Sequence, residues 1–277
     1  MRGSFYERFY DKIHGGTRGG IGRGVAYRDI FRDRGEPHCV TGGGLRLDKY
    51  LSEAAVCSRS EAAKAARAGK ITVNGVRIVS AAVHIDPEAD VVTFFGKTVE
   101  WKRFTYIMLN KPKGYVSSTE DGGRTVMDLL PPECAKKKMF PCGRLDIDTT
   151  GLLLITNDGE SAHRLLSPAR HVKKTYAFTV SSPVGDGEKV KLEGGVDIGG
   201  HISAPAEIEL DTPASGRITI TEGKFHQIKR MFHAVGTEVT ELERVSFGPL
   251  TLDGKLARGE YRELTEEEEA ALLETAK

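Results

Sequence analysis

Apolar residues change their period along this chain, and each change marks an element. Leu47, Tyr50, Leu51 and Ala54 recur at helical spacing. Ser58-Arg59-Ser60-Glu61 is a capping box, so a helix is predicted through 62–67 that ends at Gly69. Ile71-Thr72-Val73 and Val76-Arg77-Ile78 then flank Asn74-Gly75, a favoured two-residue hairpin turn. From Phe104 the pattern becomes an α+β mixture. Tyr106-Ile107-Met108-Leu109 is a predicted strand, and Pro112 and Gly114 enforce a turn after it. Leu152-Leu153-Leu154-Ile155-Thr156 stops at Asn157-Asp158-Gly159 and reads as a buried strand. Ser161-Ala162-His163-Arg164-Leu165-Leu166 follows as a short helix. The run 172–180 is a strand that puts Tyr176, Phe178 and Val180 on one face. Arg217-Ile218-Thr219-Ile220-Thr221 is another strand, leading into a helix whose buried stripe is Ile228, Met231, Phe232 and Val235. A second capping box, Thr265-Glu266-Glu267-Glu268, opens a weakly amphipathic last helix.

Composition narrows the class. The chain has 277 residues and 39% hydrophobic content, enough for one large or two modest cores. No apolar run reaches membrane-spanning length and no cleavable leader opens the chain, so a cytoplasmic protein without membrane contact is expected. Cys39, Cys57, Cys134 and Cys142 form no Cys-x-x-Cys pair and read as reduced thiols rather than a metal or disulfide framework; Cys142 is expected to pack. The net charge of +1 is unevenly spread: residues 1–103 hold 18 Lys/Arg against 12 Asp/Glu, and the remainder 22 against 27. A basic front is compatible with nucleic-acid contact. Residues 1–44, with Gly-Gly-Thr-Arg-Gly-Gly-Ile-Gly-Arg-Gly at 15–24, carry no periodicity. They are expected to be a disordered extension, or a non-native one if translation starts near Leu45.

One stretch concentrates candidate chemistry: Cys142-Gly143-Arg144-Leu145-Asp146-Ile147-Asp148-Thr149-Thr150-Gly151. Gly143 and Gly151 permit backbone angles that other residues resist, so a tight loop between them would present Asp146 and Asp148. By themselves such residues most often shape turns. A metal site or a glycosidase pair also uses two carboxylates, but a spacing of two is weak support for either. His226 and His233 are two turns apart and poor joint metal ligands, so no metal is expected.

Gly143-Arg144-Leu145-Asp146-Ile147-Asp148-Thr149-Thr150-Gly151-Leu152 closely resembles the catalytic motif of the bacterial pseudouridine synthases that modify ribosomal RNA. Leu109-Asn110-Lys111-Pro112-Lys113-Gly114-Tyr115 resembles a stretch of the same family that supports the catalytic loop. Lys174-Thr175-Tyr176 resembles its second motif, and Glu222-Gly223-Lys224-Phe225-His226-Gln227-Ile228-Lys229-Arg230-Met231-Phe232 resembles its third. The stretch from Leu45-Arg46-Leu47-Asp48-Lys49-Tyr50-Leu51 through Lys70-Ile71-Thr72-Val73-Asn74-Gly75 resembles an S4-like RNA-binding domain.

The resemblance covers about 45–270 and implies an α+β chain: an S4-like domain over 45–101, then a mixed, mainly antiparallel-sheet synthase domain over 104–270. It implies Asp146 as the essential catalytic residue, Tyr176 as the ring that meets the target base, and Lys229 as the cation facing the carboxylate. Some relatives carry Arg at that last position, so a point charge here replaces a bidentate fork. Asp148 and Thr149 are expected to shape the loop. Arg59, Lys64, Arg67 and Lys70 are candidate RNA contacts in the front domain, and Arg144 and Arg230 are candidate phosphate contacts in the second. No cofactor is required by the isomerisation. The chain looks most like the small-subunit member of the family, expected to act as a monomer on 16S ribosomal RNA in a small-subunit assembly intermediate. Large-subunit (23S) enzymes and a non-catalytic ribosome-assembly factor are the alternatives.

Overall fold

The computed structural model describes residues 44–277, so the expectation for the 1–44 extension lies, apart from Gly44, outside the described residues. These form two compact units, one of 44–52 with 57–99 and one of 53–56 with 100–277.

In the first unit, β1 (Leu45–Arg46) enters α1 (Leu47–Glu53), and α2 (Arg59–Arg67) follows. The Ser58 hydroxyl accepts from the Glu61 amide at 3.3 Å and the Glu61 carboxylate accepts from the Ser58 amide at 2.8 Å, the reciprocal cap read from the sequence. Beyond α2 the chain turns at Gly69, where φ is +63° and a Cβ would meet the Arg77 guanidinium at 1.7 Å. Then β2 (Ile71–Val73) and β3 (Val76–Arg77) form the hairpin, with Asn74 and Gly75 both at positive φ as the tight turn requires. β4 (His84–Ile85) pairs with β1, while β5 (Val92–Phe94) and β6 (Lys97–Thr98) complete a four-stranded sheet ordered β3-β2-β5-β6. Leu47, Tyr50 and Leu51 of α1, Ala62, Ala65 and Ala66 of α2, and Ile71, Val73 and Val92 of the sheet are buried.

The second unit is built on a nine-stranded mixed sheet. Its first elements are β7 (Tyr106–Lys111), α3 (Pro132–Lys136), β8 (Phe140–Pro141), β9 (Thr150–Thr156), α4 (Gly159–Leu166) and β10 (Lys174–Val180). The chain continues with α5 (Asp186–Gly194), β11 (Glu207–Thr212), β12 (Ser215–Ile220), α6 (Gln227–Ala234) and β13 (Val239–Phe247), and closes with β14 (Leu250–Thr251), β15 (Tyr261–Glu263) and α7 (Glu266–Thr275). The main path runs β11-β12-β10-β13-β9-β7-β15, antiparallel except where β13 meets β9. β9 is therefore central, and all seven of its residues are buried. Leu152 and Leu154 enter the core under α4 and α7, while Leu153 and Ile155 enter the core under α6. Burial on both faces explains why β9 reads as an unbroken apolar run. β10 alternates instead: Tyr176, Phe178 and Val180 point into the α6 side, where the Phe178 and Phe232 rings lie 4.6 Å apart. Among the described residues no helix is long and apolar enough to cross a membrane.

Asp158 ties β7 to α4. Its Oδ1 accepts from the Glu160 and Ser161 amides, each at 3.1 Å, and its Oδ2 accepts from the Tyr106 hydroxyl at 2.6 Å. Burial opposes its charge, but the bonds from Ser161, Tyr106 and the helix amides together hold it below the ordinary carboxylate range. Asp158→Ala should lose a helix cap, ~1 kcal/mol, and leave a buried hydroxyl unpaired, ~1–3 kcal/mol, so a destabilisation of about 2–4 kcal/mol is expected in urea denaturation. The folded-state value is the lower one. The difference between wild type and variant should therefore persist at neutral pH and shrink as the pH falls below ~4, through the folded value.

Candidate active site

The loop from Cys142 to Thr149 links β8 to β9 and carries both carboxylates. Its shape is fixed from beneath. Gly143 and Gly151 have φ of +83° and +99°, and a Cβ on Gly151 would sit 2.3 Å from the Arg244 carbonyl oxygen of β13. The Ser117 hydroxyl donates to the Leu145 carbonyl at 2.9 Å and accepts from its amide at 3.1 Å. The Gly114 amide donates to the Ile147 carbonyl at 2.8 Å. Cys142 packs wholly buried at the loop's start, where burial pushes its thiol up to about 12.

The strongest tether is Lys111, at the end of β7. It is fully buried, and its Nζ donates to the carbonyls of Thr149 at 2.9 Å, Asp146 at 3.0 Å and Pro112 at 3.2 Å, with Ile147 at 3.4 Å. The turn after β7 thus supports the loop through an ammonium sunk among its carbonyl oxygens. Burial pushes this lysine down to about 8, against the pull of Asp148 and Asp146.

From the opposite side α6 delivers a second cation. Lys229 Nζ lies 3.2 Å from Asp146 Oδ2 and 2.5 Å from Asp148 Oδ1, so one ammonium bridges both carboxylates. Burial alone would lower Lys229, but its contacts with Asp148 and Asp146 outweigh it and raise the lysine above its ordinary value. Burial likewise opposes charge on Asp148, and the Lys229 bond and charge prevail to lower it. His226, at φ +50° just before α6, places Nε2 3.6 Å from Asp146 Oδ1.

These groups line an open cleft whose walls include Arg144, Asp146, Thr149, Tyr176, His226 and Lys229. Tyr176 is both core and wall: it is 8% exposed and packs with the α6-side cluster, yet it borders the cleft. Thr149 is buried, and its hydroxyl has no hydrogen-bond partner among the described residues. A carboxylate half-open to a cleft, held by a lysine and faced by an aromatic ring, can act on a flat polar ligand by charge or by attack.

The comparisons agree with this geometry. The family model described as RNA pseudouridylate synthase matches residues 105–234, and the S4 domain model matches 45–91. "Ribosomal small subunit pseudouridine synthase A" of Escherichia coli (strain K12) is 43% identical over 231 residues, covering 83% of this chain and 100% of that protein. The chain belongs to the RNA pseudouridine synthases. The "Uncharacterized RNA pseudouridine synthase YtzG" of Bacillus subtilis (strain 168) is 48% identical to the synthase over 230 residues, 81% of this chain and 96% of the relative. A solved structure described as "Crystal structure of pseudouridylate synthase" aligns at a TM-score of 0.58 and 38% identity, over 82% of this chain and 99% of that one. The synthase is thus an S4 domain followed by a mixed-sheet synthase domain.

Of the residues singled out in the synthase sequence, Asp146, Tyr176, Lys229 and Arg144 meet at the cleft. Arg230 is not among the lining residues; it is half-buried, and its Nη1 donates to the Phe225 carbonyl at 3.5 Å. Arg59, Lys64 and Arg67 are exposed on α2 in the other unit, and Lys70, just beyond it, is half-buried. Arg77, exposed on β3, joins the end of α2 at Gly69. Two groups of the site are set by tertiary contact rather than by a local sequence signal: Lys111, buried beneath the loop, and His226, 3.6 Å from Asp146.

Replacing Lys111 with Met leaves several carbonyls facing an apolar chain, so the variant should be less stable by about 1–3 kcal/mol or more for each that finds no other partner. The folded value near 8 lies below the unfolded value of ~10.4, so the native chain binds fewer protons between them. The stability of wild type relative to Lys111→Met should consequently rise from pH 8 to pH 10, measured by denaturant titration at each pH.

Proposed function

We propose that this synthase isomerises one uridine of 16S ribosomal RNA to pseudouridine in the cytoplasm, as a monomer, with an assembly intermediate of the small subunit as substrate. Residues 45–101 would grip folded RNA and residues 104–270 would do the chemistry. The 16S assignment leans on the small-subunit name carried by the Escherichia coli relative. The observation that carries the catalytic reading is Asp146 at the cleft wall, on a tethered loop, beside Lys229.

In the reaction the N1–C1′ bond breaks, the uracil turns, and C5 bonds to C1′. The C5 proton leaves and N1 gains one, so the change needs no oxidant and no energy donor. A stacked uracil is out of reach, and extruding it costs a few kcal/mol, which contacts in the cleft must offset. Asp146 supplies negative charge to glycosidic cleavage, by attack or by electrostatic assistance. A bound base dries the carboxylate, and the Lys229 ammonium offsets the desolvation cost. At ~4 Å and an effective dielectric of ~20 their attraction is about 4 kcal/mol before that cost. Tyr176 stacks on the base and assists removal of the C5 proton. Arg144 takes a phosphate at the cleft mouth. Arg59, Lys64, Arg67 and Lys70 take phosphates on folded RNA, while Arg230 acts by holding the backbone at Phe225.

Asp146→Asn keeps the side chain's shape and removes its charge. It should abolish isomerisation of 16S transcripts while leaving RNA affinity within about twofold of wild type; retained turnover would refute the assignment. Pseudouridine mapping of ribosomal RNA from cells lacking the protein should show one missing site in 16S RNA. A site missing from 23S RNA instead would move the substrate to the large subunit, and an unchanged map would favour an assembly factor.

A further inference from the structure

Near the cleft a large aromatic side chain stands in the open: Phe225, 66% exposed. Single exposed apolar residues are ordinary on protein surfaces. This one differs because its loop is stitched in place. The Lys224 amide donates to Gln227 Oε1 at 2.9 Å, the Gln227 amide donates to the Lys224 carbonyl at 3.1 Å, and Gln227 Nε2 donates to Glu222 Oε1 at 2.8 Å. Gln227 is itself 4% exposed, and Arg230 holds the Phe225 carbonyl from the helix. The Phe225 ring lies flat on His226, with centroids 3.8 Å apart and planes 19° from parallel. His226 in turn lines the cleft, 3.6 Å from the Asp146 carboxylate. The order is therefore carboxylate, imidazole, phenyl, running outward from the reacting position.

We propose that the uncovered face of Phe225 is a nucleobase subsite, which takes the base next to the uridine held in the cleft. This rests on the reading that an RNA strand delivers a uridine to Asp146. Extruding one nucleotide unstacks its neighbours, and an aromatic face offered beside the cleft restores that stacking on protein. Every base has such a face, so the subsite adds affinity and register without choosing a sequence. Lys224 and Arg144, both exposed and both lining the cleft, supply charge for the phosphates on either side. His226 completes the platform by filling the space between ring and carboxylate.

The test uses the full chain and a single-stranded RNA alternating 2-aminopurine with uridine and ending in 2-aminopurine at both termini, so that any uridine in the cleft has a fluorescent neighbour on both sides. Wild type should quench the 2-aminopurine on binding. Phe225→Ala should bind about tenfold more weakly, the loss of one stacked base, and should show less quenching at saturation, whereas Phe225→Trp should restore both. Equal affinity and equal quenching for wild type and Phe225→Ala, with both variants folded, would overturn the subsite. The same protein assayed on 16S transcripts keeps the two ideas apart. Absence of pseudouridine with wild type counts against the proposed reaction, whereas Phe225-dependent quenching without turnover would still support the platform.

Discussion

The second domain depends on one buried ammonium. Lys111 leaves β7 with no room to reach solvent and turns its three donors onto carbonyls of its own turn and of a loop more than thirty residues later. Backbone oxygens that face inward must find donors, and a charged donor serves them better than a neutral one. With the carbonyls drawn down, the side chains of Asp146 and Asp148 are turned toward the open side. The cost is visible in Lys111 itself, which burial pushes toward losing its proton. The charge is tolerated because the nearby carboxylates favour it, while Lys229 opposes it. Two lysines and two aspartates thus form a cluster of no net charge, which neither repels an approaching phosphate backbone nor leaves a buried ion unpaired.

What could be read in advance follows from how each residue's surroundings are encoded. The loop glycines announce positive φ because no other residue adopts it easily, and Gly143 and Gly151 do so. β9 announces itself because it is buried on both faces. β13 does not, although it is the strand paired parallel to β9. Glu241, Glu243 and Arg244 interrupt its apolar pattern, and its register with β10 slips at two places. Arg244 resembles a surface charge in sequence, yet it is 2% exposed, with Nε donating to the Leu152 carbonyl at 2.7 Å. Its burial is set by the closeness of Gly151, a residue on another strand. Lys111 was hidden for the same reason: a lysine after a strand reads as solvent-facing until the loop that covers it is in place. Phe225 is the opposite case, an aromatic residue just before a buried helical stripe that nonetheless stands 66% exposed.

The positions of the site's groups follow from the sheet. β9 ends the catalytic loop, β10 carries Tyr176, and α6 is packed over that same face by Ile228, Met231 and Phe232. Lys229 lies within this stripe's helix but beside it, so the packing that buries the stripe also aims the ammonium at the loop. Mixed topology matters here: the parallel β13–β9 contact brings Arg244 over Gly151 and closes the loop's exit. Tyr176 can therefore be a core residue and a cleft residue together, its body held by neighbours and one side left to a ligand.

Lys229 pairs with two carboxylates at once, and that bears on the proposed catalysis. If Asp146 were its only partner, engaging a sugar carbon would either strip Asp146 of its counter-charge or strand a half-buried ammonium. Asp148 removes that conflict, because it holds the same ammonium at 2.5 Å through a separate carboxylate, while the Asp146 contact is 3.2 Å. Lys229 is then fixed before the substrate arrives and stays charged throughout, with its raised affinity for a proton as the sign of that arrangement. Preorganised charge stabilises a developing transition state without having to reorganise during the reaction. Asp148 is in this sense a positioning residue. It shapes the loop, and in the proposed reaction it also lets Asp146 exchange partners without dismantling the site.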